Sequence, residues 1–227
     1  MCGRYTVTVD PETLAQRFDA TLPPAEELYN PRYNAAPTQH LPVLRTKKDG
    51  ERRIEMLRWG LIPSWTKTLD NKYSMINARA ETLTDKPAYR NALQRRRCLV
   101  LADSFYEWQK TDDDGKIPMR IMLESGEPFA FAGLWETWHN PEDENDVIRS
   151  FTIITTSAND LVKPIHDRMP VILRPEDESR WLNDESGMDV WTDLLRPYPA
   201  GQMKTYPVSR RVNVATTDDA DLIRPAS

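Results

Sequence analysis

The stretch CLVLADSFYEWQKTDDDGKIPMRIML, residues 98–123, decides the fold. It opens with a short apolar run at 98–102, mixes aromatic and polar side chains at 105–110, and turns through Asp112-Asp113-Asp114-Gly115 before a further apolar run at 119–123. Strands joined by turns instead of crossover helices indicate a mainly antiparallel sheet. Working outward, residues 87–96 place Tyr89 and Leu93 one helical turn apart, and Asp10-Pro11 starts an earlier helix with Leu14 and Phe18 on one face. Downstream come strand candidates at 129–135, 151–156 and 171–173, then helix signals at 176–182 and 189–195. The expected fold class is α+β: one domain over residues 1–223, a mainly antiparallel, barrel-like β-sheet with flanking helices, and a short loose tail at 224–227.

The chain has 227 residues, 39% of them hydrophobic, enough for a sizeable core. No apolar stretch approaches the roughly 20 residues that cross a bilayer, and the start MCGRYTVTVD lacks a basic, apolar leader pattern, so a cytoplasmic location and no membrane partner are expected. A formal net charge of -5 argues against nucleic-acid binding through global charge and requires a local basic surface. Arg90, Arg95, Arg96 and Arg97 fall close together; for the last three a solvated face is as good an explanation. Acidic runs at 112–114 and 141–146 read as loops. Cys2 and Cys98 have no metal-ligand spacing and make no disulfide framework, so both are expected reduced, with no metal site.

Cys2 is small enough to follow a removable Met1. An N-terminal cysteine carries an amine of pKa about 7.7–8.0 beside a thiol of pKa about 8.5, and the two can close on an aldehyde as a thiazolidine. Taken alone, an accidental small residue explains position 2 better. Strand alternation puts Asp103, Phe105 and Glu107 on one face, where a carboxylate among aromatics would have a raised pKa, although a partnered glutamate is the commoner case. His166 sits in a polar, proline-bounded loop beside Asp167 and Arg168; a hydrogen-bonded structural role competes with a chemical one. Asn77 and Arg79 leave one strand end two residues apart, suited to a sugar and a phosphate, or to an inward amide and a surface ion pair. Of Trp59, Trp65, Trp135 and Trp138, any exposed member can stack on unpaired bases, while most must be core.

The segments MCGRY at 1–5, RYNAAPTQ at 32–39, RWGLIPSW at 58–65, INARAET at 76–82, RRCLV at 96–100, FYEW at 105–108, GLWE at 133–136 and IHDRMPVIL at 165–173 together span nearly the whole chain. In this order they resemble the SRAP family, the SOS-response-associated peptidases with their HMCES-type abasic-site-shielding members. The resemblance implies binding of abasic sites in single-stranded DNA and a covalent thiazolidine link from Cys2, after Met1 removal, to the ring-opened sugar. By motif, Cys2 is the nucleophile, Asn77 positions it or the sugar, Glu107 assists ring opening and proton transfer, and His166 contacts or protonates the sugar. Arg4 and Arg79 would hold phosphates, with Trp65 and Arg168 as further DNA contacts. No cofactor is implied, and a monomer that is nucleoid-associated when bound to DNA is expected. Leu101 and Ser104 stand where the family usually has proline and glycine, and the missing glycine bears on the turn into Glu107. Two other readings compete: a cysteine peptidase, at least for self-removal of Met1, and a non-catalytic reader of modified single-stranded DNA.

Overall fold

In the computed structural model, which describes residues 2–67, 75–113 and 115–226, the 98–123 stretch forms three strands. In chain order the elements are β1 Arg4–Val7, α1 Pro11–Phe18, β2 Arg32–Ala35, β3 His40–Thr46, β4 Arg52–Trp59, β5 Asn77–Arg79 and α2 Pro87–Arg95. There follow β6 Arg97–Ala102, β7 Ser104–Lys110, β8 Lys116–Leu123, β9 Phe129–Asn140, β10 Asp143–Ser157, β11 Arg168–Pro170, α3 Pro175–Leu182, α4 Met188–Asp193 and β12 Met203–Pro207.

Two sheets result. One has the order β12-β8-β7-β1-β2. In the other, β10-β4-β3-β6-β9 runs as a path that the β9–β10 hairpin closes into a ring, with β11 and β5 added on β10. The fold is thus α+β with a barrel-like sheet, and it is antiparallel except where β10 meets β4 and β5.

The chain passes from barrel to second sheet at Asp103. Every residue of β6 is buried, so a break in hydrogen bonding there needs compensation. The Asp103 carboxylate provides it by accepting from the Thr6 hydroxyl and from both the backbone N–H and the hydroxyl of Thr8. Ser104, at the position of the family's glycine, is not among the residues with positive φ; it lies in regular β7, where its hydroxyl accepts from Arg120 Nε at 2.8 Å. The turn into Glu107 therefore does not need a glycine.

Tyr5 of β1 joins the two sheets, its ring edge-on to Trp59 at 5.1 Å and to Phe131 at 5.8 Å, with Phe151 stacked beyond Trp59. Such contacts each add roughly 0.5–1.5 kcal/mol to the burial of the rings. Gly133 of β9 is required by close approach: a Cβ there would fall 2.7 Å from Val100 Cγ2 and 2.9 Å from Cys98 Sγ. α1 forms as expected, with the Asp10 carboxylate accepting from Thr13 N at 2.9 Å.

Some expectations shift. The short strand expected at 171–173 is β11, three residues earlier, because residues 168–170 pair with the end of β10. The acidic stretch at 141–146 is not all loop: β10 already begins at Asp143. The tail is tied back, with Ala226 N donating to Pro207 O at 2.8 Å. Met1, and Asp114 of the expected turn, lie outside the described residues. Among the described residues no helix is long and apolar enough to cross a membrane.

Candidate active site

Register brings the first chemical groups together. β1 pairs antiparallel with β7 through Arg4↔Tyr106, so one further step sets Glu107 level with Gly3, next to Cys2. β5 pairs parallel with β10 through Asn77↔Ile153, and the Asn77 Nδ2 donates to the Cys2 carbonyl at 2.8 Å. One side-chain amide thus ties the start of the chain to the barrel. The Asn77 Oδ1 is buried and has no hydrogen-bond partner among the described residues, which leaves an acceptor beside Cys2.

Cys2 is fully buried, and its thiol lies 3.6 Å from the Arg4 carbonyl. Burial, helped by the nearby Glu107 carboxylate, pushes the Cys2 pKa well above the ordinary thiol range. Glu107 is itself only 3% exposed, and burial raises its pKa, while the charge of His166 opposes the shift. A carboxyl group whose pKa is raised stays protonated, and able to donate, further up the pH scale than an ordinary one. Cys98 is also buried and free, and burial raises its pKa too.

Glu107 and His166 line one cavity of about 600 Å³ with Trp108, Lys110, Lys116 and Lys163. His166 Nδ1 accepts the Arg168 backbone N–H at 3.0 Å, which leaves Nε2 to carry the proton of a neutral ring. The Asp167 carboxylate lies 2.8 Å from the same Nδ1.

The cationic and aromatic candidates separate sharply. Arg168 is committed to a fork with Glu81 at 2.6 and 2.9 Å and to the Thr155 carbonyl at 2.7 Å. Arg4 donates to Asn34 Oδ1 at 2.9 Å and to the Val212 carbonyl at 2.7 Å. Arg79, at the exposed end of β5, has neither kind of tie among the described residues. Trp59 and Trp138 are core, Trp135 lies under the Arg45 guanidinium, and Trp65 stands 56% exposed.

Sequence reasoning missed the cavity lysines. Lys110 and Lys116 are exposed and directly opposed across the β7–β8 hairpin, an arrangement that repels unless an anion lies between or beside them. Counting outward from the turn at 111–115 would have paired them. Asn34 was also missed: fully buried, it donates to the carbonyls of Val212, Val214 and Thr217 and so holds the C-terminal segment that receives Arg4. Nothing in a lone asparagine signals that.

A family model described as SOS response associated peptidase (SRAP) matches residues 1–215. The chain belongs to the SRAP family. It is 47% identical over 227 residues to the abasic site processing protein YoqW of Bacillus subtilis, covering 98% of this chain and 99% of that one. It is 30% identical over 235 residues to the abasic site processing protein YedK of Escherichia coli, covering 99% and 100%. With the abasic site processing protein HMCES of Gallus gallus, identity is 32% over 230 residues, covering 88% of this chain and 68% of that one. Among solved structures, a Bacteroides thetaiotaomicron protein superposes with a TM-score of 0.90 at 24% identity over 100% of both chains, which shows a shared fold. A Bordetella bronchiseptica protein gives 0.77 at 27% identity, covering 92% of this chain and 100% of that one.

Proposed function

We propose that this chain binds abasic sites in single-stranded DNA and, once Met1 is removed, links Cys2 to the ring-opened sugar as a thiazolidine. The observation that carries the reading is the placement of Cys2 between the Asn77 amide and the buried Glu107 carboxyl, beside a cavity that Glu107 shares with His166. A terminal cysteine brings to this setting an amine and a thiol on adjacent carbons.

The reaction condenses one aldehyde with one aminothiol and releases one water. The Cys2 amine attacks C1 of the open-chain deoxyribose, and the carbinolamine loses its hydroxyl as water when Glu107 supplies a proton. The thiol then adds to the iminium carbon; the S–C bond forms, and the thiol proton returns to the Glu107 carboxylate. His166, with its proton on Nε2, donates to the sugar oxygen as the ring opens. Asn77 holds the Cys2 carbonyl and fixes the direction of the amine. Arg79 and the three cavity lysines face the phosphates on either side of the lesion, and Trp65 offers a face to a neighbouring base. Arg4 and Arg168 hold backbone and loop in place beside the bound strand, and Arg4 retains an N–H group for a phosphate.

Buried as Cys2 is, its thiol is a poor nucleophile while residue 1 blocks the amine, so processing is the step that arms the site. Intact-mass spectrometry of the processed protein, before and after incubation with a single-stranded oligonucleotide carrying one abasic site, tests this. The expected result is a gain of the oligonucleotide mass less one water, stable without reductant and absent from Cys2→Ala. A processed, folded protein that forms no adduct but cleaves peptides through Cys2 supports the peptidase instead. DNA binding and protection that Cys2→Ala leaves intact support a passive reader.

A further inference from the structure

At a distance from the Cys2 cavity lies a second, larger groove of about 1040 Å³, which shares none of that cavity's residues. Its exposed cations come from three separate elements: Lys48 from the turn after β3, Arg95 from the end of α2 and Arg149 from β10. Arg149 stands four residues before Ile153, the partner of Asn77, so the groove begins about 13 Å along the strand from the active site.

Eight cationic side chains line this groove against four acidic ones, in a protein of net charge -5. The acids are already spoken for in part: Glu55 pairs with Arg45 and Lys47, and Asp184 with Arg97. Among the described residues, no carboxylate lies within ion-pair reach of Lys48, Arg53, Arg95 or Arg149. Among the described residues, the Nε–H groups of Arg45, Arg53 and Arg96 behind them are buried and unpartnered. The Arg45 guanidinium lies 3.9 Å from the centroid of the Trp135 ring, so the groove also has a flat cation–aromatic wall.

We propose that this groove is a second nucleic-acid site, holding the phosphate backbone of single-stranded DNA away from the lesion. Unpaired cations spread over three elements match the repeated charges of a backbone, and the Arg45–Trp135 stack matches the planar bases that accompany it. The inference rests on the DNA-binding half of the function proposed above, and is independent of the Cys2 chemistry.

The test is a triple variant, Lys48→Ala with Arg95→Ala and Arg149→Ala. All three side chains are exposed, so the fold is retained, and circular dichroism and Tm verify it. A lesion-free single-stranded oligonucleotide long enough to reach both sites is titrated over a series of salt concentrations. Each lost phosphate contact lowers the slope of log K against log salt by about 0.7, so the variant is expected to be shallower by about 2. Crosslinking of a short lesion-bearing oligonucleotide at saturation should be unchanged. An unaltered slope and affinity would overturn the proposal. So would loss of binding to a poly-glutamate peptide with DNA binding intact, which assigns the groove to an acidic protein. Because the titrated strand carries no aldehyde, failure of the Cys2 reaction would leave this result untouched.

Discussion

The Cys2 cavity and the Arg45–Trp135 groove are both polar, but they are built on opposite plans. Around Cys2 the important groups are held by the protein itself: Asn77 on the Cys2 carbonyl, Arg4 on Asn34 and Val212, Arg168 on Glu81 and Thr155. In the groove, the exposed cations Lys48, Arg95 and Arg149 have no such ties among the described residues. The contrast follows from the two tasks. Condensation requires atoms fixed in direction and a carboxyl of shifted pKa, whereas backbone binding requires only charge at a spacing. Substitutions of the tied groups should therefore act on rate or stability, and those of untied cations on affinity and its salt dependence.

The largest effect sharpens the first half of this contrast. Cys2→Ser keeps the amine and replaces the thiol with a hydroxyl, so the ring cannot close to a stable thiazolidine. The expected outcome in denaturing electrophoresis without reductant is complete loss of adduct, with a borohydride-trappable imine remaining. A stable, unreduced adduct would place the chemistry elsewhere.

Glu107→Gln comes next. Loss of a positioned proton donor is expected to slow adduct formation by about 10²–10⁴-fold in single-turnover kinetics, with oligonucleotide affinity nearly unchanged. The same variant has a stability signature. Burial raises the Glu107 pKa above its ordinary value of 4.5, so the folded state holds a proton that the unfolded chain gives up. Below that ordinary value both states are protonated and the group is neutral to stability. Between the ordinary and the folded pKa, stability falls with a limiting slope of about 1.4 kcal/mol per pH unit, and above the folded pKa the loss levels off. Glutamine removes this loss, so Tm of the variant relative to the parent should rise from pH 4 toward neutrality. A difference that is flat with pH would mean that Glu107 is not held protonated.

The arginine run at 95–97 shows that adjacent residues can belong to different plans. Arg95 is exposed and Arg96 pairs with Glu136 at 2.8 Å. Arg97 is buried, donating to the carbonyls of Trp181 at 2.7 Å and Leu93 at 2.6 Å, with its guanidinium 3.7 Å from the Trp191 ring centroid. Arg97→Ala strands two buried carbonyls and is expected to cost about 3 kcal/mol in urea unfolding. Arg95→Ala should stay within about 0.5 kcal/mol. Equal costs would break the distinction between a structural and a binding cation.

The same run marks how far the sequence could be read. The strands of 98–123, the helices α1 and α2 and the barrel-like α+β class follow from periodicity and turn chemistry, which act over a few residues. Whether Arg95, Arg96 or Arg97 faces inward depends on α3, some 80 residues away, and no local pattern carries that. The parallel pairing of β5 with β10 was hidden for the same reason, since three residues are too short to show a period. At the site, Cys2, Asn77, Glu107 and His166 were named from the ordered motifs, and the structure sets Asn77 and Glu107 beside Cys2 and joins His166 to Glu107 across one cavity. The ties on Arg4 and Arg168 were not legible, because their partners Asn34, Val212 and Glu81 come from other segments.

Arg79 and Arg168 give the smallest and most discriminating comparison. They stand at neighbouring strand ends, one opposite Thr155 and the other opposite Ser157 on β10. Arg79 is exposed, while the Arg168 side chain is 14% exposed and forked onto Glu81, whose pKa that hydrogen bonding lowers. If only an untied cation can release counterions, Arg79→Ala should reduce the salt slope for a short single strand by about 0.7 and leave Tm unchanged. Arg168→Ala should leave the slope nearly as it was and lower Tm instead. It removes the partner of a half-exposed carboxylate and a donor to the Thr155 carbonyl, a cost of about 1 kcal/mol. If Arg168→Ala carries the larger slope change, the fork with Glu81 opens when DNA binds, and the cavity is less fixed than its hydrogen bonds indicate.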